Sequence, residues 1–219
     1  IAPHVARRLL AGRPGGARIT STLDAGLQRL ALQTLQQHVK ELSGQHVEDA
    51  GAVVLDNASG EVLAWVGSTG DLSDAAQVDM AASRRQPGST LKPFLYAEAI
   101  AEKRLTAASL LHDSPAHLQT ASGMYIPQNY DRQFKGWVSV RTALASSLNV
   151  PAVRAGAMVT PDTLARQLDA LGLNLREPGG YYGYSLALGS AEVTLADLTN
   201  AYRARSEEHT SELQSRQVI

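Results

Sequence analysis

Ser89-Thr90-Leu91-Lys92 is the most chemically suggestive tetrapeptide in the chain. A serine hydroxyl is a poor nucleophile until a base takes its proton, and Ser-x-x-Lys on a helix puts both groups on one face, a single turn apart. Lys92 can act as that base only where a dry pocket lowers the affinity of its amine for the proton. By frequency alone a chain of this length holds on the order of one Ser-x-x-Lys by chance. This chain, however, has only 20 basic side chains, of which Lys40, Lys92, Lys103 and Lys135 are the lysines, so lysine is used sparingly where arginine is not. A second pair, Ser147-Leu148-Asn149, offers a hydroxyl and a carboxamide two residues apart, which a loop after a helix can turn toward one cleft. Read in isolation, the same tripeptide serves equally as a C-terminal helix cap.

Other chemistries find less support. There are no cysteines, which excludes disulfides, thiolate metal sites and cysteine nucleophiles. His4, His38, His46, His112, His117 and His209 show no metal-ligand spacing and are expected at the surface or half-buried. Trp65 and Trp137 read as core or cleft-wall residues. With 20 basic and 21 acidic side chains the formal net charge is −1, so the balance asks for neither a nucleic acid nor an anionic membrane. The apolar runs, such as residues 52–55, are far shorter than the roughly 20 residues of a membrane-spanning helix.

The elements that must position these residues follow from patterning. Residues 1–20 carry four arginines and Pro14-Gly15-Gly16, and read as a linker in which little core can form. Leu23, Leu27, Leu30, Leu35 and Val39 recur near a period of 3.6, which predicts a helix over about 24–42 with Asp24 in its first turn. Residues 51–55 and 61–66 are apolar runs joined by Asp56-Asn57-Ala58-Ser59-Gly60, a β-hairpin. After Pro87-Gly88, residues 89–103 suit a helix that tolerates Pro93 within its first turn, setting Ser89 at the N-terminus. Residues 105–137 are rich in breakers and predict loops and short helices; helical patterning resumes over 140–147, 161–171 and 191–202. With 44% apolar residues in a length of 219, one domain, or one and a small appendage, with a real core is expected.

The two short motifs together resemble the serine penicillin-recognising family, whose signature combines S-x-x-K, S-D-N and K-T-G. The likeness extends to flanking segments. Arg85-Gln86-Pro87-Gly88-Ser89-Thr90-Leu91-Lys92-Pro93-Phe94 is similar to the nucleophile region of class A penicillin-binding proteins. Pro127-Gln128-Asn129-Tyr130-Asp131 resembles a further family segment, Ala143 to Val153 the middle motif with its flanks, and Leu186 to Leu195 a downstream helix start. The similarity covers about residues 1–204, with a flavour of the 1C type of bifunctional synthase.

The resemblance implies an α/β (α+β) transpeptidase fold of the penicillin-binding protein/serine β-lactamase type, incomplete here: the first hairpin and the helical lobe without the C-terminal strands. It implies a peptidoglycan D,D-transpeptidase in which Ser89 attacks a stem peptide, Lys92 takes its proton, Ser147 relays a proton and Asn149 binds substrate. β-Lactams would be trapped at Ser89. No metal or other cofactor is implied. The parent protein would be anchored at the periplasmic face of the inner membrane and preceded by a glycosyltransferase domain. A serine β-lactamase, with Glu177 or Glu192 as deacylation base, and a non-catalytic β-lactam sensor are the alternatives.

The departure from the family pattern is the third motif. No Lys-Thr-Gly or Lys-Ser-Gly follows residue 150, and no lysine occurs after Lys135. The last stretch, from Arg205 through Ser215, is polar and reads as a translated sequencing-library adapter. The expected organisation is thus a linker and helix over 1–45, the N-terminal part of a transpeptidase domain over 46–204 and a non-native tail over 205–219. The opening at Ile1 and the tail lead to the expectation that the native protein extends beyond both ends.

Overall fold

The computed structural model describes residues 1–14, 16–120 and 123–206. In chain order the elements begin with helices α1 (Pro3–Leu10) and α2 (Ala25–Glu41) and strands β1 (Ala52–Leu55) and β2 (Val62–Val66). Helix α3 (Lys92–Ala101) follows, then strands β3 (Leu110–Asp113), β4 (Leu118–Thr120), β5 (Gly123–Tyr125) and β6 (Gly136–Ser139). The remainder is helical: α4 (Val140–Ala145), α5 (Asn149–Val159), α6 (Pro161–Ala170), the single turn α7 (Gly179–Tyr182) and α8 (Leu195–Ser206). Of the tail expected over 205–219, residues 207–219 lie outside the described residues. Among the described residues no helix is long and apolar enough to cross a membrane. Among the described residues the chain divides into two compact units, one within 1–84, 171–173 and 193–206, the other within 85–170 and 174–192.

In the first unit the hairpin and the helix before it form as their patterns predict. Asp24 caps α2 by accepting the Leu27 N–H at 2.6 Å, and β1 pairs antiparallel with β2. The fully buried Gln28 on α2 acts as one more strand for β2: its Oε1 accepts the Trp65 N–H at 2.7 Å and its Nε2 donates to the Trp65 carbonyl at 2.9 Å. These groups point away from β1, and a carboxamide is the side chain able to satisfy a peptide's donor and acceptor together. From the other end of the chain, Ala196 on α8 donates to the Ala81 carbonyl, and Arg203 Nη1 donates to the Asn57 carbonyl in the hairpin loop.

Residues 1–20, read as a linker in which little core can form, nevertheless contain a helix, with His4 as its one buried residue. Residues 3–10 form a helix, started by Pro3, whose ring is preorganised for the first turn. His4 is buried rather than exposed, and its Nε2 contacts the Ala76 carbonyl at 3.1 Å. Gly67 makes room for it: a Cβ there would stand 2.8 Å from the imidazole and 2.6 Å from Asp79.

The second unit is the helical lobe. Helices α3 and α5 form its centre, where Leu91, Phe94, Leu95, Val150 and Val153 are fully buried. The segment expected to give loops and short helices instead gives four short strands in two antiparallel pairs, β3 with β6 and β4 with β5. Runs of three or four residues are too short to print a period on the sequence. Trp137 is not in the core: it is 66% exposed and stacks on His112 across the β3–β6 pair at 4.6 Å.

Replacing Gln28 with leucine would leave the buried Trp65 N–H and C=O without partners. We expect Gln28→Leu to cost about 2–4 kcal/mol, one unsatisfied group at a time, read as a lower midpoint in urea unfolding; an unchanged midpoint would remove Gln28 as the support of β2.

Candidate active site

Gly88, at φ +58°, turns the chain into a short 3₁₀ segment, Gly88–Leu91, that runs directly into α3. Ser89 therefore lies one turn before the α-helix proper, not on it as the apolar pattern suggests. In a 3₁₀ turn residues i and i+3 eclipse one another, so Ser89 and Lys92 still share a side. Their surroundings differ: Ser89 is exposed, whereas Lys92 is 1% exposed beside fully buried Leu91.

The Lys92 amine finds its partners about 55 residues downstream. Nζ donates to the Ser147 carbonyl at 2.6 Å, to Asn149 Oδ1 at 2.7 Å and to Ser147 Oγ at 3.1 Å. These three acceptors match the three donors of an ammonium. Burial nevertheless disfavours the charge and pulls the pKa of the amine down to about 8. None of the Lys92 hydrogen bonds goes to Ser89 Oγ.

The loop that supplies these acceptors is held in a costly conformation. Ser147 adopts φ +50°, a left-handed geometry worth roughly 1–3 kcal/mol of strain for a side-chain-bearing residue. Buried Leu148 anchors the loop next to it by donating its N–H to the Ala143 carbonyl at 2.9 Å. Asn149 is not a loop residue but the first residue of α5. Its Nδ2 donates to the Gln128 carbonyl at 2.9 Å, which leaves Oδ1 as the end that faces Lys92. Sequence reasoning singled out residues 127–131 as a segment but assigned them no part in the site; Gln128 and Asn129 both hold Asn149.

On the other side of the 88–91 turn, Gly88 donates to the Gly189 carbonyl at 3.3 Å. Gln86, Tyr181, Tyr182, Ser185 and Ser190 line an adjoining open, polar depression of about 580 Å³. Glu177 and Glu192 also line it, and Glu192 stands 3.9 Å from Arg176. Among the described residues no cluster of three or more potential metal ligands occurs.

The four residues singled out by motif thus split in space. Lys92, Ser147 and Asn149 converge on one amine, and Ser89 stands exposed one tight turn before it. This arrangement is carried by a chain that matches the penicillin-binding protein transpeptidase domain over residues 50–203. The chain belongs to the penicillin-binding protein transpeptidase family. The penicillin-binding protein 1C of Escherichia coli K12 is 40% identical over 208 residues, 93% of this chain and 26% of that protein. Penicillin-binding protein 1B of Vibrio cholerae is 34% identical over 86% of this chain and 24% of its own length. The chain therefore spans about a quarter of the curated relatives it matches. Among solved structures, PonA1 of Mycobacterium tuberculosis in complex with penicillin V superposes with a TM-score of 0.71 at 25% identity, covering 92% of this chain and 56% of that one. Penicillin-binding protein 1A of Haemophilus influenzae gives 0.63 at 32% identity over 71% of this chain and 23% of its own. The family resemblance and the transpeptidase fold read from the motifs are borne out.

Burial of Lys92 has a thermodynamic signature. Between about pH 8 and its ordinary value of 10.5, the unfolded chain binds a proton at Lys92 that the folded one has released. Stability therefore rises with pH across that window. Lys92→Met should flatten this part of the stability profile in urea unfolding from pH 7 to 11; identical slopes for the two proteins would contradict a depressed amine.

Proposed function

We propose that this chain carries the reactive half of a peptidoglycan D,D-transpeptidase site that acts through an acyl-enzyme on Ser89. The observation that carries the reading is the buried amine of Lys92, shared by Ser147 and Asn149, in a member of the transpeptidase family. Ser89 Oγ attacks the carbonyl of the penultimate D-alanine of a donor stem peptide. Lys92, in its neutral form, takes the hydroxyl proton. The C–N bond to the terminal D-alanine breaks, and the proton passes through Ser147 to the departing amine. An acceptor amine then attacks the ester, releasing Ser89 and forming the cross-link. The Ser89 N–H, at the start of the turn leading into α3, donates to the developing oxyanion, and Asn149 holds the substrate backbone. β-Lactams acylate the same hydroxyl and stay there.

The wider setting rests on the named relatives, which are penicillin-binding proteins of types 1C and 1B. By that likeness the parent is a bifunctional, membrane-anchored synthase of the 1C type with a glycosyltransferase domain, working at the periplasmic face of the inner membrane. A polypeptide limited to these 219 residues has no lysine beyond Lys135, and so no Lys-Thr-Gly strand to supply the second oxyanion donor. Loss of one such donor costs about 100- to 1000-fold in rate.

Fluorescent penicillin should label the full-length protein at Ser89, and Ser89→Ala should abolish labelling. The rate should climb with pH and level off above about 8, as the amine loses its proton. Lys92→Arg, which cannot give up its charge, should lose about 10²- to 10⁴-fold. Labelling that persists in Ser89→Ala would refute the assignment. For the 219-residue polypeptide alone we expect no stable adduct; mass spectrometry of the protein after penicillin treatment decides it.

A further inference from the structure

The amine site is completed by a buried carboxylate that touches none of its members. Asp113, the last residue of β3, is fully buried. Both of its oxygens accept from Asn129 Nδ2, at 2.9 and 2.8 Å, and Oδ2 also accepts the Lys135 N–H at 2.9 Å. The same Asn129 Nδ2 donates to the Gln133 carbonyl at 2.8 Å. With its nitrogen committed in this way, the carboxamide can turn only its oxygen toward α5.

There the oxygen meets a helix that lacks a cap of its own. The N-cap position of α5 is Leu148, whose side chain accepts nothing, so the first N–H groups of the helix need an outside partner. Asn129 Oδ1 supplies it, accepting from Asn149 N at 2.9 Å and from Val150 N at 3.3 Å. Asn149 is thereby fixed at its backbone by the Asn129 side chain and at its carboxamide by the Gln128 carbonyl, and its Oδ1 is aimed at Lys92 Nζ at 2.7 Å. An anion behind the cap also suits the positive end of α5.

We propose that Asp113 and Asn129 are positioning residues for the reaction of Ser89: the carboxylate orients the Asn129 amide, the amide caps α5, and the capped helix sets the Asn149 oxygen on the Lys92 amine. The inference deepens the transpeptidase reading and rests on it. Several charged and titratable groups pack around this relay. Tyr96 on α3 has its hydroxyl pKa pushed up by burial and then by the Asp113 charge. Arg154 on α5 and His112 on β3 both bond to Ser114. Lys135 Nζ pairs with Asp131. On α6, Asp162 accepts from Gly180, Arg166 donates to Thr163 and Asp169 accepts from Leu175, while Arg141 on α4 is exposed.

The test is the rate of fluorescent-penicillin acylation against pH in the full-length protein, with thermal unfolding measured alongside. Asn129→Ala should keep a cooperative unfolding transition yet acylate about 100-fold more slowly, the cost of a small misplacement of a reacting group. Its pH midpoint should move to lower pH, because an oxygen that stabilises the ammonium is withdrawn. Asp113→Asn, nearly isosteric and still able to accept one bond, should fall between the wild type and Asn129→Ala. Wild-type rate and midpoint in a folded Asn129→Ala would overturn this inference alone. So would loss of folding in both variants, which would make the pair a prop of the lobe only. A wild-type protein that is not labelled at Ser89 would overturn the transpeptidase reading, and this inference with it.

Discussion

A lysine amine withdrawn from water and met by three oxygens is the constraint around which the second unit is organised. Removing an ammonium from water costs several kcal/mol even after relaxation. The structure offsets this by bringing in acceptors that are neutral, not anionic: a carbonyl, a hydroxyl and a carboxamide. A carboxylate in their place would favour the charged form and hold the proton on Lys92. Neutral oxygens give direction and partial compensation while leaving the amine able to let go near pH 8. The chemistry asked of the site follows from that choice of partners.

The same constraint accounts for the irregular backbone nearby. The acceptors cannot come from the interior of a helix, where carbonyls are already bonded, so they come from the junction between α4 and α5. There the chain breaks helix for three residues, 146–148, and Ser147 takes a left-handed conformation while Leu148 is driven into the core. The apolar side chain at the junction anchors the loop but leaves α5 uncapped. That deficit draws in Asn129, and Asn129 in turn requires a partner for its nitrogen. A buried aspartate thus traces back, through two hydrogen-bonded steps, to the choice of leucine between Ser147 and Asn149.

How much of this was legible depended on whether an element writes a period. Helix α2 and the β1–β2 hairpin are long enough, and flanked by clear enough caps and turns, to be read directly from residues 24–66. The four strands of residues 110–139 are three or four residues each, too short for alternation to stand out from loop composition. Helix α1 was hidden by its arginines, since a polar sequence with prolines and glycines close by reads as linker until His4 and Gly67 are seen to interlock. At the site, residue types and spacing picked out Ser89, Lys92, Ser147 and Asn149. They could not show that Lys92 turns to the second motif instead of to Ser89, because that preference is set by burial. Nor could they show the roles of Gln128, Asn129 and Asp113, whose contacts span sequence separations that no local pattern encodes.

One close approach explains how an exposed serine and a buried lysine come to sit a turn apart. Residues 88–91 are wound as a 3₁₀ segment, which is narrower than an α-turn and keeps the side chains of positions 89 and 92 eclipsed. Such a segment needs an abrupt entry, which Gly88 gives at φ +58°. The entry is pressed from outside by Gly189, itself at φ +80°, so closely that a Cβ on Gly189 would lie on the Gly88 peptide. Alanine at 189 would meet both a backbone clash and a strained, left-handed dihedral. The segment from residue 183 to 190 is thus packed directly against the 88–91 turn, and Gly88 donates to the Gly189 carbonyl at 3.3 Å. The close approach of two glycines thus lies directly before the exposed hydroxyl, while three residues on the amine is buried.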